Sequence, residues 1–147
     1  MTPSPQPLSP ELAARAYFDA VHAGDADRLA TVFSEDAVLR FPTLDPIQGR
    51  AAIRAFYANV FVFYTHRADR ITRWFHGEDA VAAEIHFEGH TNTGKDVVFD
   101  AVDVFTVAGG LITGLEIFYD SARVLQMLGT LPSQAQPAAN PAEKEKG

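Results

Sequence analysis

Residues 97–107 read VVFDAVDVFTV, and one carboxylic acid, Asp103, stands among apolar residues at the alternate positions of this run. Side chains at alternate positions of a β-strand share one face of the sheet. A carboxyl group on an apolar face loses hydration, which raises its pKa and favours the neutral acid. A neutral acid can donate a hydrogen bond to a developing oxyanion. The run therefore predicts a proton-donating carboxyl group at Asp103, with a purely structural buried acid as the alternative.

A second candidate for the same chemistry is a tyrosine in the first predicted helix. Residues 9–24 read SPELAARAYFDAVHAG, with Ser9 suited to the N-cap, Pro10 to the first turn and Gly24 to the position after the last turn. The apolar stripe of this helix includes Tyr17, which predicts a phenol facing the protein interior. Tyr17 is then either a core residue whose hydroxyl meets any acceptor or a donor in a pocket.

The remaining elements must hold these two residues against each other. A second helix is predicted from Asp25 to Phe33, a short strand over 37–41, a loop to residue 49, and a strongly amphipathic helix over 50–63. Turn signals then separate four predicted strands, and a short helix closes the domain at Gly129. The strands are predicted over residues 66–75, 79–89, 96–107 and 111–119. This order indicates an α+β fold in which three helices pack on a bent, mostly antiparallel sheet above an apolar pocket.

Composition excludes several classes of protein. The 147 residues carry a net charge of −7, which argues against general binding of nucleic acid, and the absence of cysteine excludes disulfides and thiolate metal sites. No run of apolar residues is long enough to span a membrane and no signal-peptide pattern is present, so a cytoplasmic protein is expected. We expect one domain over residues 9–131, with a flexible N-terminus over 1–8 and a disordered tail over 132–147.

Two polar clusters on the predicted strands favour ordinary surface roles. His86 and His90 are separated by about 13 Å along one strand, too far apart to share a metal ion. His66, Arg67, Arg70 and Arg73 form a basic patch that we interpret as a solvated strand face. The sequence therefore predicts neither a metal nor a cofactor.

The chain resembles the nuclear transport factor 2-like (NTF2-like) superfamily over roughly residues 9–129. The segments AYFDAVHAGDADRLATVFSEDA and GRAAIRAFYANV are similar to bacterial ketosteroid isomerases, and the ending IFYDSARVLQMLGTLP resembles SnoaL-like polyketide cyclases. The resemblance implies an NTF2-like cone with three N-terminal helices, a hydrophobic pocket and a homodimer. A fold of this kind hosts many functions.

Within this resemblance, Tyr17 and Asp103 match the oxyanion hole of the isomerases, but Phe41 stands where their catalytic base would be. Two other carboxylates could replace the base. Asp120 resembles the acid/base aspartate of the cyclases, although its place before a helix also suits an N-cap, and Asp45 precedes a proline in a turn. The expected pocket residues are Phe41, Phe56, Phe99, Phe105, Leu115 and Ile117.

Two functions follow from these residues. The first is a cofactor-independent isomerase or cyclase that binds a small hydrophobic carbonyl compound such as a steroid, polyketide or terpenoid and stabilises its enolate with Tyr17 and Asp103. The second is a non-catalytic module for ligand binding or dimerisation, which Phe41 supports because a phenyl ring cannot accept a proton.

Overall fold

The computed structural model describes residues 9–129 and contains four helices and six strands over this range. The helices are α1 (Pro10–Ala23), α2 (Ala26–Ala30), α3 (Arg50–Phe63) and α4 (Ser121–Leu128). The strands are β1 (Phe33–Arg40), β2 (Ile47–Gln48), β3 (Tyr64–His76), β4 (Ala80–Thr91), β5 (Asp96–Ala108) and β6 (Leu111–Tyr119). The predicted flexible terminus and tail lie outside the described residues.

Local sequence explains where α1 begins and ends. The Ser9 hydroxyl accepts a hydrogen bond from the Leu12 amide at 3.2 Å, and Pro10 occupies the first turn. Gly24 ends the helix in the left-handed region at φ 66°, where a residue with a Cβ is strained. The predicted roles of Ser9, Pro10 and Gly24 at the ends of α1 are confirmed.

The strands form one curved sheet in the order β2-β1-β6-β5-β4-β3. Neighbouring strands are antiparallel except for β1 and β6, which are parallel. Strand β5 therefore lies inside the sheet between β4 and β6, whereas β3 is an edge strand. The α+β fold predicted from the sequence is confirmed.

The structure corrects two boundaries near the start of the sheet. Strand β1 begins at Phe33 rather than at residue 37, because Phe33 pairs with Ile112 of β6 instead of continuing α2. Residues 47–48, predicted as loop, form the short strand β2, whose Ile47 pairs with Leu39.

The core lies between the helices and one face of the sheet. The alternate positions of β5 from Val97 to Val107 face this core, and all of them except the half-buried Phe99 are fully buried. Helix α1 adds Ala13, Ala14, Tyr17 and Phe18 from the other side. None of the described helices is long and apolar enough to cross a membrane.

Candidate functional site

A cavity of about 220 Å³ lies between the helices and the inner face of the sheet. Most of its wall is apolar or aromatic and comes from α1, α3, α4 and strands β3 to β6. The polar side chains that line it are Tyr17, Tyr57, Tyr64, Arg67, Asp69, Asp103 and Tyr119. A few polar groups in an apolar hollow are typical of a small-molecule site.

Asp103 is the most deeply buried charged residue of the described chain. Its register partners are Ala83 on β4 and Ile117 on β6, its side chain is 2% exposed, and it lines the cavity. Burial raises the pKa of Asp103 well above its usual value, and the charge of Asp69 raises it further. Burial therefore favours the neutral form of this carboxyl group, which can act as a proton donor.

One oxygen of this carboxyl group, Oδ1, has no hydrogen-bond partner among the described residues. Buried polar atoms in folded proteins are nearly always paired, so an unpaired one in a cavity wall suggests a place for a ligand. A structural acid satisfied by a neighbouring tyrosine, the alternative reading of the sequence, would have such a partner.

Tyr17 and Tyr57 form a hydroxyl pair in the same cavity. Their oxygens are 2.6 Å apart, and either hydroxyl can be the donor. Burial raises the pKa of both phenols, so both stay protonated. Tyr57 lies on the apolar stripe of α3, and its pairing with Tyr17 depends on a contact 40 residues apart in the chain. The Tyr17 hydroxyl is thus bonded to a second phenol rather than to Asp103.

Asp69 is a cavity residue that the sequence analysis did not single out. It lies on β3 opposite Phe87 of β4 and is partly buried. Burial raises the pKa of Asp69 to about 6, while the nearby charges of His22 and Arg67 oppose this rise. A carboxylate with a pKa close to neutral pH is well matched to a general base.

Arg67 is the one member of the predicted basic patch that lines the cavity. Its Nε and Nη2 atoms donate to the Val21 carbonyl oxygen at 3.2 and 2.8 Å, and its guanidinium stacks over Phe61 at 4.3 Å. A Cβ on Gly24 would lie 2.7 Å from the Nη2 atom, so this glycine leaves room for the arginine. Because side chains two apart share a strand face, the sequence Arg67-Ala68-Asp69 indicates that both residues lie on one face of β3, but it does not indicate that this face lines a cavity.

The two carboxylates predicted as replacement bases do not reach the cavity. Asp120 is exposed and caps α4, where its Oδ1 accepts a hydrogen bond from the Arg123 amide at 3.1 Å. Asp45 is exposed in the loop between β1 and β2. Neither residue belongs to the cavity wall, so the carboxylate near Asp103 is Asp69.

The expected pocket residues divide into two groups. Phe41, Phe56, Phe99 and Ile117 line the cavity, whereas Phe105 and Leu115 are completely buried outside its wall. Helix α1 covers Phe105, whose ring packs edge-on against Tyr17 and Phe18 at 5.2 and 5.7 Å between centroids. The inner face of the sheet thus forms core under α1 and cavity wall beyond it.

Phe41 lies in the wall of the cavity. It packs against Phe56 at 5.0 Å and Tyr119 at 6.5 Å between ring centroids. Within residues 9–129, no three histidine, aspartate or glutamate side chains are grouped as metal ligands. The polar groups of the cavity wall are two carboxyl groups, one guanidinium and the phenols.

Comparison with known proteins identifies the family. The model of the SnoaL-like domain family matches residues 14–115. The chain therefore belongs to the SnoaL-like family, as its resemblance to the NTF2-like superfamily predicted. Among curated protein sequences, no relative matches this chain.

Several solved structures share the fold. A protein from Jannaschia sp. CCS1 described as a SnoaL-like polyketide cyclase has 18% identity and a TM-score of 0.76, covering 90% of this chain and 99% of its own. The epoxide hydrolase/cyclase-like enzyme SalBIII, described in pyran ring formation in the polyether salinomycin, has 25% identity and a TM-score of 0.68 over 76% of this chain and 91% of its own. An LEH-like epoxide hydrolase from M. tuberculosis has 21% identity and a TM-score of 0.69 over 79% and 86%.

Proposed function

We propose that this protein is a cofactor-free acid–base enzyme that acts on a small hydrophobic compound carrying a reactive oxygen. Asp103 donates a proton to that oxygen, and Asp69 accepts a proton from the attacking or reacting group. The observation that carries this proposal is the presence of two carboxyl groups on one cavity: Asp103 is buried in the centre of the sheet with an unpaired oxygen, and Asp69 is partly buried on the edge strand. Burial raises the pKa of Asp103 well above its usual value and that of Asp69 to about 6. Such a pair supplies an acid and a base at the same pH.

The reaction that fits this pair best is the opening of an epoxide. Asp103 gives its proton to the epoxide oxygen as the carbon–oxygen bond breaks. Asp69 takes the proton of the attacking hydroxyl group as the new carbon–oxygen bond forms. The attacking group is water in a hydrolase and a hydroxyl of the substrate itself in a cyclase. The descriptions of SalBIII and of the M. tuberculosis protein as epoxide hydrolase/cyclase-like and epoxide hydrolase proteins favour this reaction.

The hydroxyl pair of Tyr17 and Tyr57 supports a second reaction at the same site. In this case Asp69 removes a proton from the carbon next to a carbonyl group, and Asp103 and Tyr17 donate to the oxygen of the enolate. Removing a phenol donor from such an oxyanion site costs a large part of the rate. This is the isomerase or cyclase chemistry predicted from the sequence, with Asp69 as the base in place of Asp45 or Asp120.

The alternative of a non-catalytic module rests on the replacement of the expected base by Phe41. A carboxylate on β3 weakens that reason, because Asp69 supplies a proton acceptor from another wall of the cavity. The cavity volume of about 220 Å³ is below the ~300–1,000 Å³ of typical ligand pockets, so we propose a compact substrate rather than a steroid.

A set of compact probes tests the reaction. Purified protein is incubated in ¹⁸O-labelled water with cyclohexene oxide, with a hydroxy-epoxide that can close to a ring, and with cyclohex-3-enone. Products are analysed by mass spectrometry. We expect turnover of an epoxide with kcat/KM rising through about pH 6, as Asp69 ionises, and loss of turnover in the Asp103→Asn and Asp69→Asn variants.

The matched control is Asp45→Asn, which removes an exposed carboxylate outside the cavity and should leave the rate unchanged. Labelled diol would identify the hydrolase and unlabelled ring product the cyclase. Turnover of the enone alone would favour the enolate reaction. Binding of the probes without any turnover would overturn the enzyme proposal in favour of the module.

We also propose that the protein forms a homodimer through the outer face of its sheet. Phe75, Val98 and Phe118 are 45%, 44% and 53% exposed, and the register of β3 to β6 places them on this one face. The same face carries Arg70 and Arg73 on β3 and Glu116 on β6, so it presents charges of both signs beside the apolar residues. Light scattering should give a dimer that Phe118→Glu converts to monomer; a monomeric wild type would contradict this.

A cytoplasmic location stays a prediction.

A further inference from the structure

Asp69 lies on the edge strand β3, and the end of α1 covers the free side of that strand. An edge strand has backbone amide and carbonyl groups that no neighbouring strand pairs. The His22 Nε2 atom lies 3.1 Å from the Asp69 carbonyl oxygen and 3.3 Å from the Asp69 amide nitrogen. A protonated Nε2 donates to the carbonyl, and an unprotonated Nε2 accepts from the amide. One ring nitrogen thus makes one hydrogen bond to the backbone of Asp69 in either state, to the carbonyl oxygen when it is protonated and from the amide when it is not.

The same turn of α1 fixes the neighbouring inward residue of β3. The Val21 carbonyl accepts both hydrogen bonds from Arg67, in a contact between residues 46 positions apart. Gly24 leaves the space in which the guanidinium lies. The last turn of α1 therefore holds Arg67 by its side chain and Asp69 by its backbone.

We propose that His22 is a positioning residue for Asp69, holding the edge strand so that the carboxylate stays in the cavity opposite Asp103. This inference rests on the proposed role of Asp69 as the base. His22 itself is exposed and does not belong to the cavity wall, so it acts through Asp69 and does not touch a substrate.

Electrostatics add to the positioning. The charge of His22 lowers the pKa of Asp69 against the effect of burial, and Arg67 acts in the same direction. The other titratable groups on the cavity near Asp69 are Asp103 on β5 and the phenols of Tyr17, Tyr57 and Tyr64. Loss of His22 should therefore both loosen the backbone of Asp69 and raise the pH at which its carboxyl group ionises.

Three variants of the full chain test the proposal by NMR, without any substrate. His22→Ala removes the ring, and His22→Gln keeps a side-chain amide that can hydrogen-bond to the backbone of Asp69. His66→Gln is the control and removes an exposed histidine from β3, the strand that carries Asp69. Amide hydrogen exchange at Asp69 and the ¹³C titration of its carboxyl group are measured in each variant. For His22→Ala we expect amide exchange about tenfold faster under conditions where the neutral wild-type ring accepts from the amide, because one hydrogen bond is lost. We also expect the carboxyl titration to move to higher pH, because the charge of the protonated ring is lost.

His22→Gln should restore most of the amide protection, and His66→Gln should match the wild type in both measurements. Wild-type exchange and titration at Asp69 in folded His22→Ala would overturn the positioning role. If His22→Ala shows both changes while the wild type turns over no probe, positioning is supported and the proposed function fails. The two proposals can therefore fail separately.

Discussion

Asp103 and Asp69 line the same cavity from two very different parts of the sheet. Asp103 lies on β5, which pairs with a strand on each side, whereas Asp69 lies on β3, which pairs only with β4. The carboxyl group of Asp103 is buried in the cavity wall, and burial raises its pKa well above the usual value. The carboxyl group of Asp69 is only partly buried, and burial raises its pKa to about 6. This difference in burial is the reason why we propose the same residue type as an acid in the centre of the sheet and as a base at its edge.

The two residues also differ in what fixes the backbone that carries them. Neighbouring strands fix the backbone of Asp103 through the register with Ala83 and Ile117. For Asp69 the second neighbour is a helix end, where His22 takes the place of a strand. We expect the central acid to be insensitive to distant substitutions and the edge base to respond to changes in α1.

The largest effect should come from Asp103→Asn. An amide cannot give up a proton, so turnover of a productive probe should fall by about 10³-fold, within the usual contribution of a general acid. The thermal unfolding midpoint should stay at or above that of the wild type, because burial disfavours the charged form of the carboxyl group and an amide has no charged form. Steady-state kinetics with thermal unfolding as the control measures both. Retention of the wild-type rate would exclude Asp103 as the acid.

Next in size is the pH dependence of stability set by Asp69. The folded protein holds this proton more tightly than the unfolded chain, because burial raises the pKa to about 6. Stability from this group is therefore present at low pH and is lost as the pH rises from about 4 to 6. Relative to wild type, Asp69→Asn should gain about 2 kcal/mol between pH 4 and pH 7, measured by urea unfolding. A constant difference across this range would mean that the folded Asp69 ionises as in the unfolded chain.

The phenol pair should give an effect of similar or smaller size. Tyr17→Phe leaves the buried Tyr57 hydroxyl without its partner and should reduce the free energy of unfolding by about 1–2 kcal/mol. Its effect on rate separates the two reactions, since an enolate needs the Tyr17 donor and epoxide opening by the carboxyl pair does not. Parallel assays with an epoxide and an enone decide this, and Tyr119→Phe is a control on another wall of the cavity. Equal losses with both probes would show that the pair only supports the structure.

The smallest expected effect is at Asp120, which lies on neither of the strands that carry Asp103 and Asp69. Asp120→Ala removes the N-cap of α4 and should cost about 1 kcal/mol of stability, while Asp120→Asn keeps a capping oxygen and should cost little. Neither variant should change kcat by more than about twofold, since the carboxylate lies away from the cavity. A large loss of kcat in both variants would show that Asp120 takes part in catalysis.

Much of the fold and half of the carboxyl pair could be predicted from local sequence. The period of two in residues 97–107 placed Asp103 on the buried face, and the residues at the ends of α1 marked its first and last turns. Arg67 and Asp69 also lie two positions apart on one strand, but this spacing did not indicate burial. Both residues are charged, and most of β3 is exposed. Alternation tells which residues share a face; it does not tell what covers that face.

The sequence by itself determined the order of elements, the caps of α1 and the inward direction of Tyr17 and Asp103, because these depend on contacts within one helix or one strand. Only the tertiary structure decided that Phe105 is core, that Phe41 is cavity wall and that Asp69 is the second carboxylate. The outcome for Phe41 depends on its packing against Phe56 of α3 and Tyr119 of β6, and the outcomes for Phe105 and Asp69 depend on contacts with α1. Its last turn contacts β3 across more than 40 residues of chain, and no local pattern encodes a contact of that range.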